Sequence, residues 1–175
     1  MNLIFDLIDM RSFSNLWYWI ALAVTWSSAS HWVLGVPYDM VLRARRKGGN
    51  AAQQFEQITR INVARLLYLG REAGITLTAL ISFLLTMLAV LGFVYRIEIA
   101  QAIFLMVFPL SGVGILSLRT AQKIERLYGD CEGQTEALAQ VLARHRMAVQ
   151  IIGLFAISSS AFWGMFQNLQ ASILH

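Results

Sequence analysis

The chain has 175 residues, of which 57% are hydrophobic and only 14% charged, a balance too apolar for a soluble domain of this length. Its net charge of +4 at pH 7 does not point to nucleic acid, because the excess cations lie beside apolar stretches, where bilayer topology accounts for them. The single cysteine, Cys131 between Asp130 and Glu132, excludes an intramolecular disulfide and a cysteine-ligated metal centre, and its acidic neighbours disfavour a reactive thiolate.

The start, Met1-Asn2-Leu3-Ile4-Phe5-Asp6, lacks the positive n-region of a secretory signal and is expected to stay on the protein. Leu3, Ile4, Leu7 and Ile8 would face the membrane interface from a short helix within residues 1–12, with terminal fraying as the alternative. A first span is predicted at 15–36, anchored by Trp17, Tyr18 and Trp19 at its outer end and by Trp32 and Tyr38 farther in. Pro37 predicts a kink near Gly35. The run Thr25, Ser27, Ser28, Ser30 and His31 is polar for a lipid-facing helix and points this span toward other helices or a partner. Hydroxyls also satisfy themselves on the carbonyl four residues back. His31 is the intramembrane polar candidate. Its functional reading is a haem or metal ligand or a proton relay, and its structural reading is a neutral imidazole bonded to a hydroxyl or carbonyl. A bis-histidine haem needs a second histidine at equal depth. His145, between Arg144 and Arg146, is expected at the inner interface in contact with solvent or headgroups, and His175 lies at the other end, so no cofactor follows.

Twelve of the 14 Lys and Arg residues, all but Arg11 and Arg96, fall in 37–72 and 119–146. Cations resist translocation, so both segments are expected to be cytoplasmic, with the termini and the Tyr95–Glu98 turn periplasmic. Phe55, Ile58, Asn62, Leu66 and Leu69 in one segment, and Leu138, Val141, Leu142 and Met147 in the other, keep helical spacing. The spans therefore continue as helices into two tips, reversing at Gly48-Gly49, with Asn50 as N-cap, and between Gly129 and Gly133. A helix from Asn50 to Tyr95 would be roughly 70 Å long. Arg43, Arg45, Arg46 and Lys47 would contact an anionic lipid headgroup or an acidic partner, or act only as topogenic charge. Glu56 and Arg60 are spaced for a surface pair. Glu125, Asp130, Glu132 and Glu136 make the second tip acidic, so the two tips should attract each other.

Further spans are predicted at 73–95, 97–118 and 147–166. Ser111, Gly114 and Ser117, then Ala156, Ser160 and Gly164, form small-residue stripes suited to helix packing within the chain or between subunits, and Gly70 with Gly74 adds a GxxxG. The expected fold is all-α: one integral membrane domain, a four-helix bundle of two long antiparallel hairpins with cytoplasmic extensions. A soluble bundle would need a polar face on every helix, and Leu77–Val94 has almost none.

The runs Ile8-Asp9-Met10-Arg11-Ser12-Phe13-Ser14-Asn15-Leu16-Trp17-Tyr18-Trp19-Ile20 and Ser30-His31-Trp32-Val33-Leu34-Gly35-Val36-Pro37-Tyr38-Asp39 resemble small four-span bacterial membrane proteins labelled "component of the SufBCD complex". That resemblance implies a partner in iron–sulfur cluster assembly. Phe55-Glu56 followed by Arg60, with Arg119 and Tyr128, is more faintly similar to the membrane-bound glutathione transferase and eicosanoid family. The chain departs from that family's Asn and Glu at Ala64 and Leu67. The function expected first is a non-enzymatic accessory or scaffold subunit of a bacterial inner-membrane assembly, contacting lipid, other membrane subunits or a second copy, with a soluble partner at the tips. The alternative is a glutathione- or lipid-directed transferase with a pocket built from Arg60, Arg65, Arg119 and Tyr128. A small transporter component comes third.

Overall fold

The computed structural model describes residues 16–128 and 133–173. The predicted interfacial segment at 1–12, Cys131 with its acidic neighbours, and His175 lie outside the described residues.

Six α-helices occur among the described residues: α1 (Leu16–His31), α2 (Tyr38–Lys47), α3 (Gly49–Glu72), α4 (Gly74–Ala89), α5 (Glu98–Tyr128) and α6 (Thr135–Ile173). A two-strand pair, β1 (Trp32–Val33) with β2 (Val36–Pro37), separates α1 from α2, and one π-helical turn, Val90–Val94, ends α4. Three helical segments are long and apolar enough to cross a membrane: Gly74–Val94, Glu98–Arg126 and Thr135–Gln167. The all-α expectation holds at this level.

Three boundaries differ from the sequence reading. The first apolar helix stops at His31, not 36. Leu34 and Gly35 take positive φ of 53° and 77°, as a two-residue type I′ hairpin turn requires, and Val33 pairs with Val36. The Asn62 amide donates to the Gly35 carbonyl at 3.2 Å, so α3 holds the turn in place. Pro37 then caps α2 in an extended conformation, where its missing N–H costs nothing, and does not kink a longer helix. The second boundary is Ala73, whose φ of −112° and ψ of 3° divide the expected 46-residue helix into α3 and α4. The third is the N-cap of α3, which is Gly48 and not Asn50. The chain does reverse at Gly48-Gly49.

Two cores form. The first joins the hairpin and the polar ends of the helices: Val33, Val36, Val41, Phe55, Val63, Leu67, Ala121, Ile124, Leu138 and Leu142. The second lies between α1, α5 and α6 and centres on Leu22, Trp26, Val149 and Ala156. In the second, a Cβ on Gly153 would meet Cε3 of Trp26 at 2.8 Å, so the indole lies directly on the α6 backbone. Gly153→Val is expected to push α1 off α6 at a cost of about 1–3 kcal/mol, read as a lower melting temperature in detergent. An unchanged melting temperature would contradict the contact.

The polar run of α1 does not face this core. Ser27 and Ser28 are exposed and Thr25 and Ser30 half-buried, and Ser30 donates to the Ser27 carbonyl. The packed face is Tyr18, Leu22 and Trp26, at i, i+4 and i+8.

Candidate functional site

Residues of α3, of the end of α5 and of the start of α6 line a groove of about 680 Å³, within the size range of ligand sites. Val63, Leu67, Ile124 and Leu138 form its apolar floor, and Gln53, Gln57, Gln134 and Arg60 its rim. Gln53, Gln57, Arg60 and Ala64 are spaced i, i+4, i+7 and i+11, so one face of α3 supplies an entire wall. Sequence reasoning did not single out the three glutamines. For Gln53 and Gln57 a shared face of α3 was the available signal, whereas Gln134 comes from the segment before α6.

Glu56 closes one lip of the groove. Its carboxylate accepts from the Thr135 hydroxyl and from the Gly133 N–H at 3.5 Å, so a side chain of α3 serves the start of α6, where N–H groups lack helical partners and the dipole favours an anion. The expected surface pair with Arg60 is therefore replaced, because the helix start offers Glu56 two donors, whereas an exposed i,i+4 pair offers a few tenths of a kcal/mol.

A smaller notch of about 240 Å³ continues the groove toward the apolar stretches. The two share Leu67 and Glu125, and Gly70, Arg71, Leu118, Gln122 and Arg126 complete the notch. The Arg71 Nη2 donates to both Glu125 oxygens, at 3.0 and 3.2 Å. Across the other side of the tip, Arg45 grips Glu136 through Nε and Nη2 at 3.0 and 2.8 Å. That hydrogen-bonded guanidinium holds the Glu136 carboxyl below its usual range. Basic and acidic tips thus meet as their charges suggested, through exposed pairs that orient the helices more than they stabilise them.

No protein-family model, curated protein or solved structure matches this chain. The geometry of its own residues therefore carries the functional argument.

His145 departs most from expectation. It is buried, 5% exposed, with Nδ1 3.0 Å from the Thr120 hydroxyl and Nε2 3.5 Å from that of Ser117. Both hydroxyls already donate to carbonyls four residues back, Leu116 and Val113. With both hydroxyl protons so engaged, a neutral imidazole donates its single N–H to one of them, and the shorter Thr120 contact ties α6 to α5. The neighbouring Arg146 lies over the Tyr38 ring, 3.9 Å from its centroid, and fastens α2 to α6. Adjacent arginines suggested a solvated histidine, but i±1 neighbours point about 100° away on a helix. The spacing of Leu138, Leu142, His145 and Val149 was the better guide.

The other candidates separate into packed and exposed groups. Ala156, Ser160 and Gly164 are buried, and Tyr18 donates to the Ser160 hydroxyl at 3.0 Å, so this stripe packs α6 against α1. In the other stripe, Ser117 meets His145, Ser111 bonds to the Phe108 carbonyl and Gly114 is exposed. Arg43, Arg46 and Lys47 are exposed on α2. His31 is exposed at the end of α1, its ring edge-on to Trp32, not directed into the helix interior. Of the residues expected to build a transferase pocket, Arg60 lines the groove, while Arg65 and Arg119 do not. The side chain of Tyr128 lies outside the described residues. Among the described residues, no three His, Cys, Asp or Glu side chains converge as a metal site needs.

The arrangement is suited to recognition. Glu56 and Glu125 are committed to internal partners, so the groove offers amides, one guanidinium and an apolar floor, which select an occupant by shape and hydrogen bonding.

Proposed function

We propose that the protein is a non-enzymatic accessory subunit of a bacterial inner-membrane assembly, and that its groove is the docking point for a soluble partner. In this reading α1, α4, α5 and α6 cross the bilayer as a four-span bundle with both termini periplasmic, and α2, α3 and the polar ends of α5 and α6 form a folded cytoplasmic tip. The confinement of cations to that tip supports the orientation. The observation that carries the function is the groove itself, with an apolar floor, an amide rim and its carboxylates already bonded within the chain. The resemblance in Ile8–Ile20 and Ser30–Asp39 makes an iron–sulfur assembly complex the first soluble partner to try.

Ala64 is exposed on the groove wall, so Ala64→Trp fills the groove without displacing a core residue. Purified in mild detergent from cells at native expression, the wild-type chain is expected to carry a partner in fixed stoichiometry, which Ala64→Trp loses and Arg43→Ala retains. A partner held equally by all three chains, or a lone chain with thiol-conjugating activity, would sink the proposal.

A further inference from the structure

We propose that the notch between α3 and α5 holds the phosphate of one anionic phospholipid from the inner leaflet. This rests on the membrane placement proposed above. The notch sits at the required depth: Arg71 lies just before the apolar α4, which starts at Gly74, and Leu118 closes the apolar stretch of α5, with Gln122 and Arg126 one and two turns beyond.

Its donors fit a phosphodiester. Arg71 spends only Nη2 on Glu125, which leaves Nε and Nη1 each with N–H groups to donate singly to phosphate oxygens. Arg126 is exposed, lines the notch, and has no ion pair among the described residues. Both Glu125 oxygens accept from Arg71, so the carboxylate is screened and the three charged side chains leave one net positive charge, matched to one phosphodiester. The exposed Gln122 amide adds a donor and an acceptor for a headgroup hydroxyl.

The floor and the side toward the bilayer suit the rest of the lipid. A Cβ on Gly70 would meet Leu118 at 2.9 Å, so α3 and α5 are in contact beneath the notch and the headgroup rests there without passing through. One turn farther, Ile75 is 89% and Ile115 54% exposed. Ile115 precedes Gln122 by seven residues on α5 and so lies below the notch, and Ile75 opens α4 just past the break at Ala73, so the two offer exposed apolar surface for acyl chains. Basic pockets between helices at a cytoplasmic interface have this composition. The site differs from the α2 cations, which line neither groove nor notch.

The test is native mass spectrometry of the full chain in detergent with phosphatidylglycerol, phosphatidylcholine or soluble glycerol phosphate added. Wild type is expected to retain one phosphatidylglycerol, with phosphatidylcholine and glycerol phosphate about tenfold weaker, equivalent to about 1.4 kcal/mol. Arg126→Gln and Gln122→Glu should each lower phosphatidylglycerol retention by a similar factor, and Arg43→Gln should not. Equal retention of phosphatidylcholine, equal binding of glycerol phosphate, or insensitivity to both notch variants would overturn the site. Release of the chain from membranes by alkaline carbonate would overturn the placement beneath it. A chain that resists carbonate but shows no variant-sensitive adduct overturns the notch alone.

Discussion

Phe55→Ala is expected to lower the melting temperature of the detergent-solubilised chain by about 10 °C, from a loss of about 3–5 kcal/mol in a protein of this size. Phe55 is fully buried in the core that joins the hairpin to α2, α3, α5 and α6. Truncation leaves a cavity that the tip cannot easily collapse, because the wall it belongs to is pinned elsewhere: Asn62 to Gly35, Glu56 to Thr135 and Arg71 to Glu125. Global stabilities of about 5–15 kcal/mol make this a large fraction of the whole. Ile61, on the same helix but 65% exposed, is the control, and its alanine variant should melt near wild type. Limited proteolysis should cut the Phe55→Ala tip first, while the apolar helices remain protected by detergent. Equal melting of the two variants would mean that α3 does not present the face described.

That face shows how far the sequence could be read. Helical periodicity in 49–72 was evident, and Phe55 was on the predicted stripe. The predicted stripe runs on through Asn62 and Leu69, whereas the buried positions are Phe55, Thr59, Val63 and Leu67. Thr59 carries a hydroxyl and is nevertheless buried. Its proton goes to the Phe55 carbonyl, so Thr59 presents its methyl outward from the helix and packs as a small apolar residue. The buried seam is thus rotated by part of a turn from the predicted stripe.

Charge was more legible than polarity. Long-range attraction between a basic and an acidic tip depends only on which segments carry the signs, and Arg45–Glu136 and Arg71–Glu125 followed. The partners of Glu56 and His145 depend on phase and on a helix start contributed from about 80 residues away, information that no local window contains. The groove was illegible for the same reason, since its walls come from three helices. The hairpin at Trp32–Pro37 was hidden by Leu34, a residue that rarely takes positive φ, where an Asn or Gly would have signalled the turn.

Gln101→Leu is expected to cost about 2 kcal/mol or more, the sum of three hydrogen bonds at roughly 0.6 kcal/mol each in a membrane plus the penalty for a carbonyl with no water to replace its partner. Gln101 is 2% exposed and joins three helical segments. Its amide donates to the Gly92 carbonyl at 2.7 Å, and its oxygen accepts from the Trp163 indole at 2.9 Å and the Gln167 amide at 2.8 Å. The π-helical turn creates the need. Ile97 N–H bonds to Leu91 and Tyr95 N–H to Val90, which leaves Gly92 with a helix-terminal carbonyl to satisfy. The absence of a side chain at Gly92 lets the α5 backbone approach, since a Cβ there would meet the Gln101 N and Cγ at 3.0 Å. Leucine preserves volume but satisfies none of the three groups, so unfolding by SDS in mixed micelles should occur earlier and Trp163 emission should shift. Gln101→Glu separates the contributions, because a carboxylate still accepts from Trp163 and Gln167 but cannot donate to Gly92. If donation to the orphaned carbonyl dominates, Glu and Leu variants will be similarly unstable; if the two acceptor bonds dominate, Glu will lie nearer wild type. In a double-mutant cycle with Trp163→Phe, the losses should be less than additive, and strict additivity would show that the indole bond contributes nothing to holding α5 on α6.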